Sequence, residues 1–496
     1  MVVPAPQNPR SRRALVTRKI WADMTFRDGC ICCPPRPIST ASHLCLSKIF
    51  MPFGHPLFSI LQFGCMTVNL SPTSKSLSRQ IASFLPMATL IDCPSELQRL
   101  FFEWTSRADL LALSRINRHI HAVIEPLLYA KVEWKWREPG EIPIIPSLRT
   151  ILHRPELATH IQSVALLGRD FWRGYNGCIV PNLHVAGVQL DEAETAIKEI
   201  GVPYAEVWIR ELRLGKLDSF VTLLLSRLHN LKYLFLDVNF SQDTELTGMM
   251  FRSALCEGVD YAIPGFQRLQ HVSHKLGVRQ LEVKFRSKTG DFLPLSYLPT
   301  VRHLRVSIKN LVPLSWPAHT PCPSTLTSLH ITLVREPKLL QLPSVTKNLQ
   351  KLQWDWYYSN LYEFPVSKPL IDLDQIAEAL SQVRNTLTYL TITGACDRGS
   401  DSELPVLATK GSYGGLVNLD GLERLEAPVP FLVGFSPDDR KRLEDAMPKN
   451  LQCVTFNDDF SWHEQYEWDD EPFLHAIQLW LGNWKTTTPP SPCHRA

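Results

Sequence analysis

One short hydrophobic signature, apolar-x-x-apolar-x-apolar, recurs along most of the chain. It begins at Ile161 (with Val164 and Leu166), Ile209 (Leu212, Leu214), Leu231 (Leu234, Leu236), Val278 (Leu281, Val283) and Val301 (Leu304, Val306). It returns at Leu326 (Leu329, Ile331), Leu349 (Leu352, Trp354), Leu387 (Leu390, Ile392), Leu422 (Leu425, Ala427) and Leu451 (Val454, Phe456). Alternation over the last three positions predicts a short strand with one buried face. Successive starts are 22 to 48 residues apart, so the pitch is irregular. A unit this small buries its apolar face only against its neighbours, and the recurrence therefore predicts a stacked, solenoid-like array.

Between several strands the period changes to that of a helix. Asp218 is placed to cap a helix over Phe220 to Leu228 before the strand at Leu231, and Asp374 a helix carrying Ile376, Leu380 and Val383 before Leu387. Ser436-Pro437-Asp438 opens a third such helix before Leu451. The strand signature is similar to that of leucine-rich repeats. The fold class expected is α/β: an irregular leucine-rich-repeat-like solenoid over residues 138–484, preceded by a small three-helix motif over 87–137. A doubly wound α/β domain should instead show longer apolar strands and a Gly-rich phosphate turn. In the solenoid the x positions beside the second apolar residue line the open, concave face. They are Glu211, Arg213, Tyr233, Phe235, Gln280, Glu282, His303, Arg305, Ser328, His330, Lys351, Gln353, Tyr389, Thr391, Arg424 and Glu426. Mixed charge among aromatic rings suits a protein ligand, and Tyr233, Phe235, His303, Arg305, His330 and Tyr389 are the expected substrate-binding residues. Tyr233 and Phe235 are either interface anchors or rings tucked beneath a loop.

Ahead of the repeats, Pro94 falls at the first helical position and Glu96 in the first turn. A helix from there aligns Leu97, Leu100, Phe101 and Trp104 on one face. Asp109 reads as a second N-cap before Leu110, Leu111 and Leu113, and Ile116, Ile120, Val123, Ile124 and Leu127 form a third stripe. Three short helices make too small a core to stand alone, so their apolar faces need partners. The string Cys93-Pro94-Ser95-Glu96-Leu97, then Asp109-Leu110-Leu111-Ala112-Leu113-Ser114 and Asn117-Arg118, with Glu125-Pro126-Leu127-Leu128-Tyr129 closing it, resembles the F-box. The family usually has Leu where Cys93 stands, and an apolar helix end where Trp104-Thr105 stands. The resemblance implies a substrate-recognition subunit of an SCF-type E3 ubiquitin ligase, docked on a Skp-type adaptor and through it on a cullin scaffold. It implies Pro94, Leu97, Leu110, Leu111 and Leu113 as adaptor-facing residues, and an unidentified protein substrate on the repeats. The alternative is a repeat scaffold whose first helices only cap the solenoid.

Charge and cysteine usage sharpen this picture. Residues 1–86 carry ten Lys or Arg against Asp23 and Asp28, which leaves the other 410 residues with 42 basic and 47 acidic side chains. Such a body does not read as a nucleic-acid binder. The basic leader is rich in Pro, Ser and Arg. It reads either as a disordered extension outside the mature fold or as sequence upstream of a start at Met87, because Pro34, Pro35, Pro37, Pro52 and Pro56 interrupt a transit helix. Residues 485–496 read as a disordered tail. Cys30, Cys32 and Cys33 lack a second pair at zinc spacing. Scattered single cysteines in the body suit a reducing compartment, cytoplasmic or nuclear. No membrane span, metal site, cofactor motif or catalytic constellation is expected. The acidic-aromatic stretch Asp458 to Glu471 reads as a solvated cap or a partner-binding tail, and Trp354-Asp355-Trp356-Tyr357-Tyr358 as core and rim packing.

Overall fold

The computed structural model describes residues 90–136, 142–168, 180–241, 243–275, 292–308, 315–323, 325–359, 368–397, 404–411, 413–437 and 442–487. The basic leader, the repeat expected at Val278 with Gln280 and Glu282, and most of the tail lie outside the described residues.

Three helices come first: α1 (Ser95–Glu103), α2 (Arg107–Leu113) and α3 (Arg118–Tyr129). Pro94 sits one position earlier than expected, as the cap of α1, where its carbonyl accepts the N–H groups of Leu97 and Gln98. The cap of α2 is Ser106 rather than Asp109. Ser106 Oγ accepts the Asp109 N–H at 3.2 Å and donates to its carboxylate at 2.7 Å. Asn117 caps α3 by accepting the Ile120 N–H at 2.8 Å. Phe102, Leu110, Ile120, Val123 and Ile124 are buried together in a small core that is separate from the core of the repeats.

The chain passes directly from α3 into β1 (Lys131–Lys135), so the helical segment ends at Tyr129, short of the expected boundary. The strands that follow are β2 (Ser163–Leu167), β3 (Tyr233–Leu236), β4 (His271–His274), β5 (His303–Ser307), β6 (Ser328–Thr332), β7 (Lys351–Ser359), β8 (Leu370–Asp372), β9 (Tyr389–Asp397), β10 (Ala408–Lys410), β11 (Arg424–Pro428) and β12 (Cys453–Asn457). Ten of them form one wholly parallel sheet in chain order, while β8 and β10 pair beside it. Parallel strands laid one beside the next in chain order are the topology of a solenoid. The register puts the middle apolar residues of the signature side by side, from Val132 through Val164, Leu234, Val272, Leu304, Leu329, Leu352, Leu390 and Leu425 to Val454. The eight inner members of this ladder are buried, and only the two end members are half-exposed.

Helices α4 (Ile144–His153), α5 (Asp191–Ile200), α6 (Ala205–Arg213), α7 (Leu217–Leu225), α8 (Glu245–Leu255) and α9 (Leu373–Ser381) share their core with that ladder, leaving the other sheet face open. The signature expected at Ile209 is not a strand but part of α6. Trp208, Ile209 and Leu212 are buried at helical spacing while Leu214 points to solvent, 53 % exposed. Apolar-x-x-apolar is common to both structures, and here the third position decided. Asp218 does not cap its own helix. Its carboxylate accepts the N–H of Leu246 at 2.7 Å and of Thr247 at 3.3 Å, capping α8 across the fold. Asp372, rather than Asp374, caps α9 through the Gln375 N–H.

Neighbouring repeats are also tied by a polar rung just ahead of the strands. The residue before the first apolar position donates its side chain to a carbonyl of the preceding repeat: Asn230 to Thr159 (2.6 Å), Thr300 to Leu269 (2.9 Å), Thr325 to Val301 (2.8 Å) and Asn450 to Asp420 (2.6 Å). These bonds satisfy carbonyls at the strand entry that the ladder leaves over.

Candidate functional site

The open face of the sheet is built by alternation. Where one residue enters the core, its neighbours on either side face outward. The first outward row runs Ser163, Tyr233, His271, His303, Ser328, Lys351, Tyr389 and Arg424 across adjacent strands. The second runs Ala165, Phe235, Ser273, Arg305, His330, Gln353, Thr391 and Glu426. All six residues singled out from the sequence fall on these two rows: Tyr233, His303 and Tyr389 on the first, Phe235, Arg305 and His330 on the second. Glu211 and Arg213, expected on the same face, lie on α6, where Arg213 holds Glu194 through two bonds of 2.7 and 2.6 Å.

The first row is a continuous stack of rings followed by a cationic sandwich. Tyr233 lies on His271 with centroids 4.7 Å apart, and His271 on His303 at 4.3 Å, the imidazoles within 11° of parallel. Burial holds both imidazoles below the ordinary histidine range. Arg302 adds to this for each, as do His303 beside His271 and Lys351 beside His303. The stack is therefore uncharged at neutral pH. Further along, Lys351 Nζ sits 4.6 Å from the centre of the Tyr389 ring, and the Arg424 guanidinium lies 5.4 Å from it. Tyr233 is 44 % exposed, so it is not tucked beneath a loop.

On the second row, and just beyond it, polar groups are paired within the protein. His330 Nε2 and Asp355 Oδ2 are 2.6 Å apart, and the other carboxylate oxygen accepts Thr393 Oγ1 at 2.9 Å and Gln353 Nε2 at 3.2 Å. Burial alone would raise the Asp355 pKa, but these bonds, that of His330 foremost, outweigh it and hold the carboxyl below its usual range.

His271 was missed because its strand was missed. Leu269-x-x-Val272-x-His274 carries the signature with a histidine in the last core position, where His274 is buried against Phe292 at a centroid distance of 4.1 Å. β1 also carries the signature, as Tyr129, Val132 and Trp134, but its first residue closes α3.

A second surface lies on the helical segment. Leu97, Leu100, Phe101 and Trp104, one face of α1 by spacing, are exposed, as are Pro94 and Leu111. Leu113 is half-buried, and Leu110 is buried among the helices themselves, where it supports the surface without forming part of it. Toward the inside, Gln98 bonds the carbonyls of Cys93 (2.7 Å) and Ile91 (3.2 Å) and the ring of His119 (3.0 Å). Trp354, Trp356, Tyr357 and Tyr358 are all buried, so that aromatic run is core.

Among the described residues no helix is long and apolar enough to cross a membrane. No family model matches the chain, and no curated protein sequence matches it. Among solved structures the chain is similar to a leucine-rich repeat-containing protein of Legionella pneumophila, LegL7, at 12 % identity over 71 % of this chain and 97 % of that one, with a TM-score of 0.32.

Proposed function

We propose that the protein is a non-catalytic, repeat-based receptor that holds a protein on the open sheet face while α1 and α2 dock on a second protein. In the finer form of this reading it is the substrate-recognition subunit of an SCF-type E3 ubiquitin ligase, acting in the cytoplasm or nucleus, with a Skp-type adaptor on the helices. The observation that carries it is the exposed apolar surface of the helical segment. Of seventeen exposed large apolar side chains among the described residues, eight fall between Leu90 and Ile116. That density, on helices that already have a core of their own, supports reading the segment as a partner surface. The test is co-purification with a Skp-type adaptor. Leu97→Asp and Leu111→Asp should abolish it while leaving the fold intact, and an absence of adaptor binding by the native protein would overturn the ligase role.

A scaffold without a ligase role is favoured by one different observation. α3 enters β1 with no linker, and Arg154 at the end of α4 bonds Glu125 of α3 at 2.8 Å. Under that reading, removal of residues 88–129 destabilises the whole sheet; under the receptor reading it leaves the sheet folded but unable to bind the adaptor.

A further inference from the structure

The first outward row has a regularity that specifies a ligand. On it Lys351 and Arg424 have no carboxylate partner among the described residues, whereas His330 of the second row lies 2.6 Å from the Asp355 carboxylate. Lys351 and Arg424 stand on strands two apart with Tyr389 between them. With a strand spacing of about 4.8 Å, and with both cations resting on that one ring, their charged heads are no more than about 10 Å apart. His303 stands two strands before Lys351 with Ser328 between, so the same interval separates the end of the ring stack from the first cation. A polyproline II peptide rises about 3.1 Å per residue with three residues per turn, so residues three apart project from one side at about 9 Å. The two periods are commensurate.

We propose that the first row binds an extended peptide that runs across the strands and carries an aromatic residue over His271 and His303 and anionic side chains three and six positions away, over Lys351 and Arg424. This rests on the receptor reading and gives it a ligand class. Tyr389 holds the two cations in place and closes the floor between the anions. Glu426, half-buried on the second row two residues beyond Arg424, repels an anion that drifts off the first row and so keeps the peptide in line. The uncharged imidazole stack offers a flat face to an aromatic side chain without competing for the anions. Extended peptides suit such a site because little chain entropy is lost on binding.

The experiment titrates the full-length protein with fluorescent seven-residue peptides that have proline in the spacers, an aromatic residue first, and glutamate fourth and seventh. A second series carries phosphoserine at the same two places, which distinguishes carboxylate from phosphate as the source of charge. Binding should weaken roughly tenfold or more when the two acids are moved to adjacent positions, and likewise in Lys351→Glu and Arg424→Glu, which should in turn accept a peptide with lysine at those places. Equal binding of the respaced peptide, or tighter binding of an eight-nucleotide single-stranded RNA than of either peptide, would overturn the proposal. Circular dichroism of the charge-reversed variants establishes that they are folded. Their co-purification with a Skp-type adaptor should be unchanged, so loss of peptide binding and loss of the ligase role are read separately.

Discussion

The carboxylate of Asp218 on α7 accepts the backbone N–H of Leu246 at 2.7 Å, and with it caps a helix 28 residues further along the chain. Thr247 adds its N–H at 3.3 Å and its hydroxyl at 2.6 Å to the other oxygen. Asp218→Ala strands these buried donors, and the expected cost is about 2 to 3 kcal/mol in denaturant unfolding. Amide exchange at Leu246 and Thr247 should rise before that of the β3 strand, and unchanged exchange there would show that the cap is not what holds α8.

His274 occupies the last core position of β4, and burial lowers its pKa to about 3. The unfolded chain takes up a proton near the ordinary value of 6.5 that the folded chain refuses until about 3. Stability from this position is therefore complete above 6.5 and is lost progressively as pH falls toward 3. His274→Leu should fold at neutral pH and shallow the fall of stability between those limits, read from denaturation midpoints at half-unit pH steps. An unchanged slope would mean that other groups set the acid limit.

The two cores predict separable stability. Ile124→Ala in the helical segment should cost about 2 to 4 kcal/mol and melt α1 to α3 locally, because Ile124 is buried in their own cluster. Leu97→Asp, at a residue 51 % exposed, should leave stability within about 0.5 kcal/mol. Hydrogen exchange is the measure: protection should vanish over residues 95–129 in Ile124→Ala while the strands from β3 onward keep theirs.

A polar rung is expected to add a modest amount per repeat. Thr325→Val keeps the shape of the side chain and removes the hydroxyl that donates to the Val301 carbonyl, for about 1 kcal/mol by thermal or denaturant unfolding. A neutral result would mean that water replaces the rung.

At Gly394 on β9 a Cβ would collide with the ring of Phe460. That ring is stacked on Phe431 at 6.0 Å and set edge-on to Trp356 at 5.6 Å, so it has no slack. Gly394→Ala should cost about 1 to 3 kcal/mol, and a small residue at 460 should recover part of it.

The strand ladder could be read from the sequence because alternation is a local property. Eight strands lie where Leu-rich triplets put them, and their outward residues follow from parity alone. Two strands were hidden by a substitution in the signature: His274 in a core position, and Tyr129 doing double duty as a helix end. The helix at Ile209 was mistaken for a strand because two apolar residues three apart satisfy either period, and only the exposure of Leu214 separates them. Asp218 illustrates a different limit. An acid near a helix start announces a cap, but which helix it serves depends on which N-terminus the fold brings near. The stacking of His271 between Tyr233 and His303 was likewise beyond reach, since register across strands 32 and 38 residues apart is a product of assembly.

An all-parallel sheet in chain order necessarily has two free margins, and each is a template for adding a strand from another molecule. The β1 margin carries Lys131, Glu133 and Lys135 along its outward positions, with Lys135 and Glu133 paired at 3.1 Å. Any incoming strand must desolvate these charges, which blunts polymerisation. At the β12 margin the rings of Phe473 and Trp480, from the last helix (Asp470–Thr487), pack edge-on against Phe456 of the strand itself. The same array that can lengthen by adding repeats is thus kept finite by charge at one end and by aromatic cover at the other.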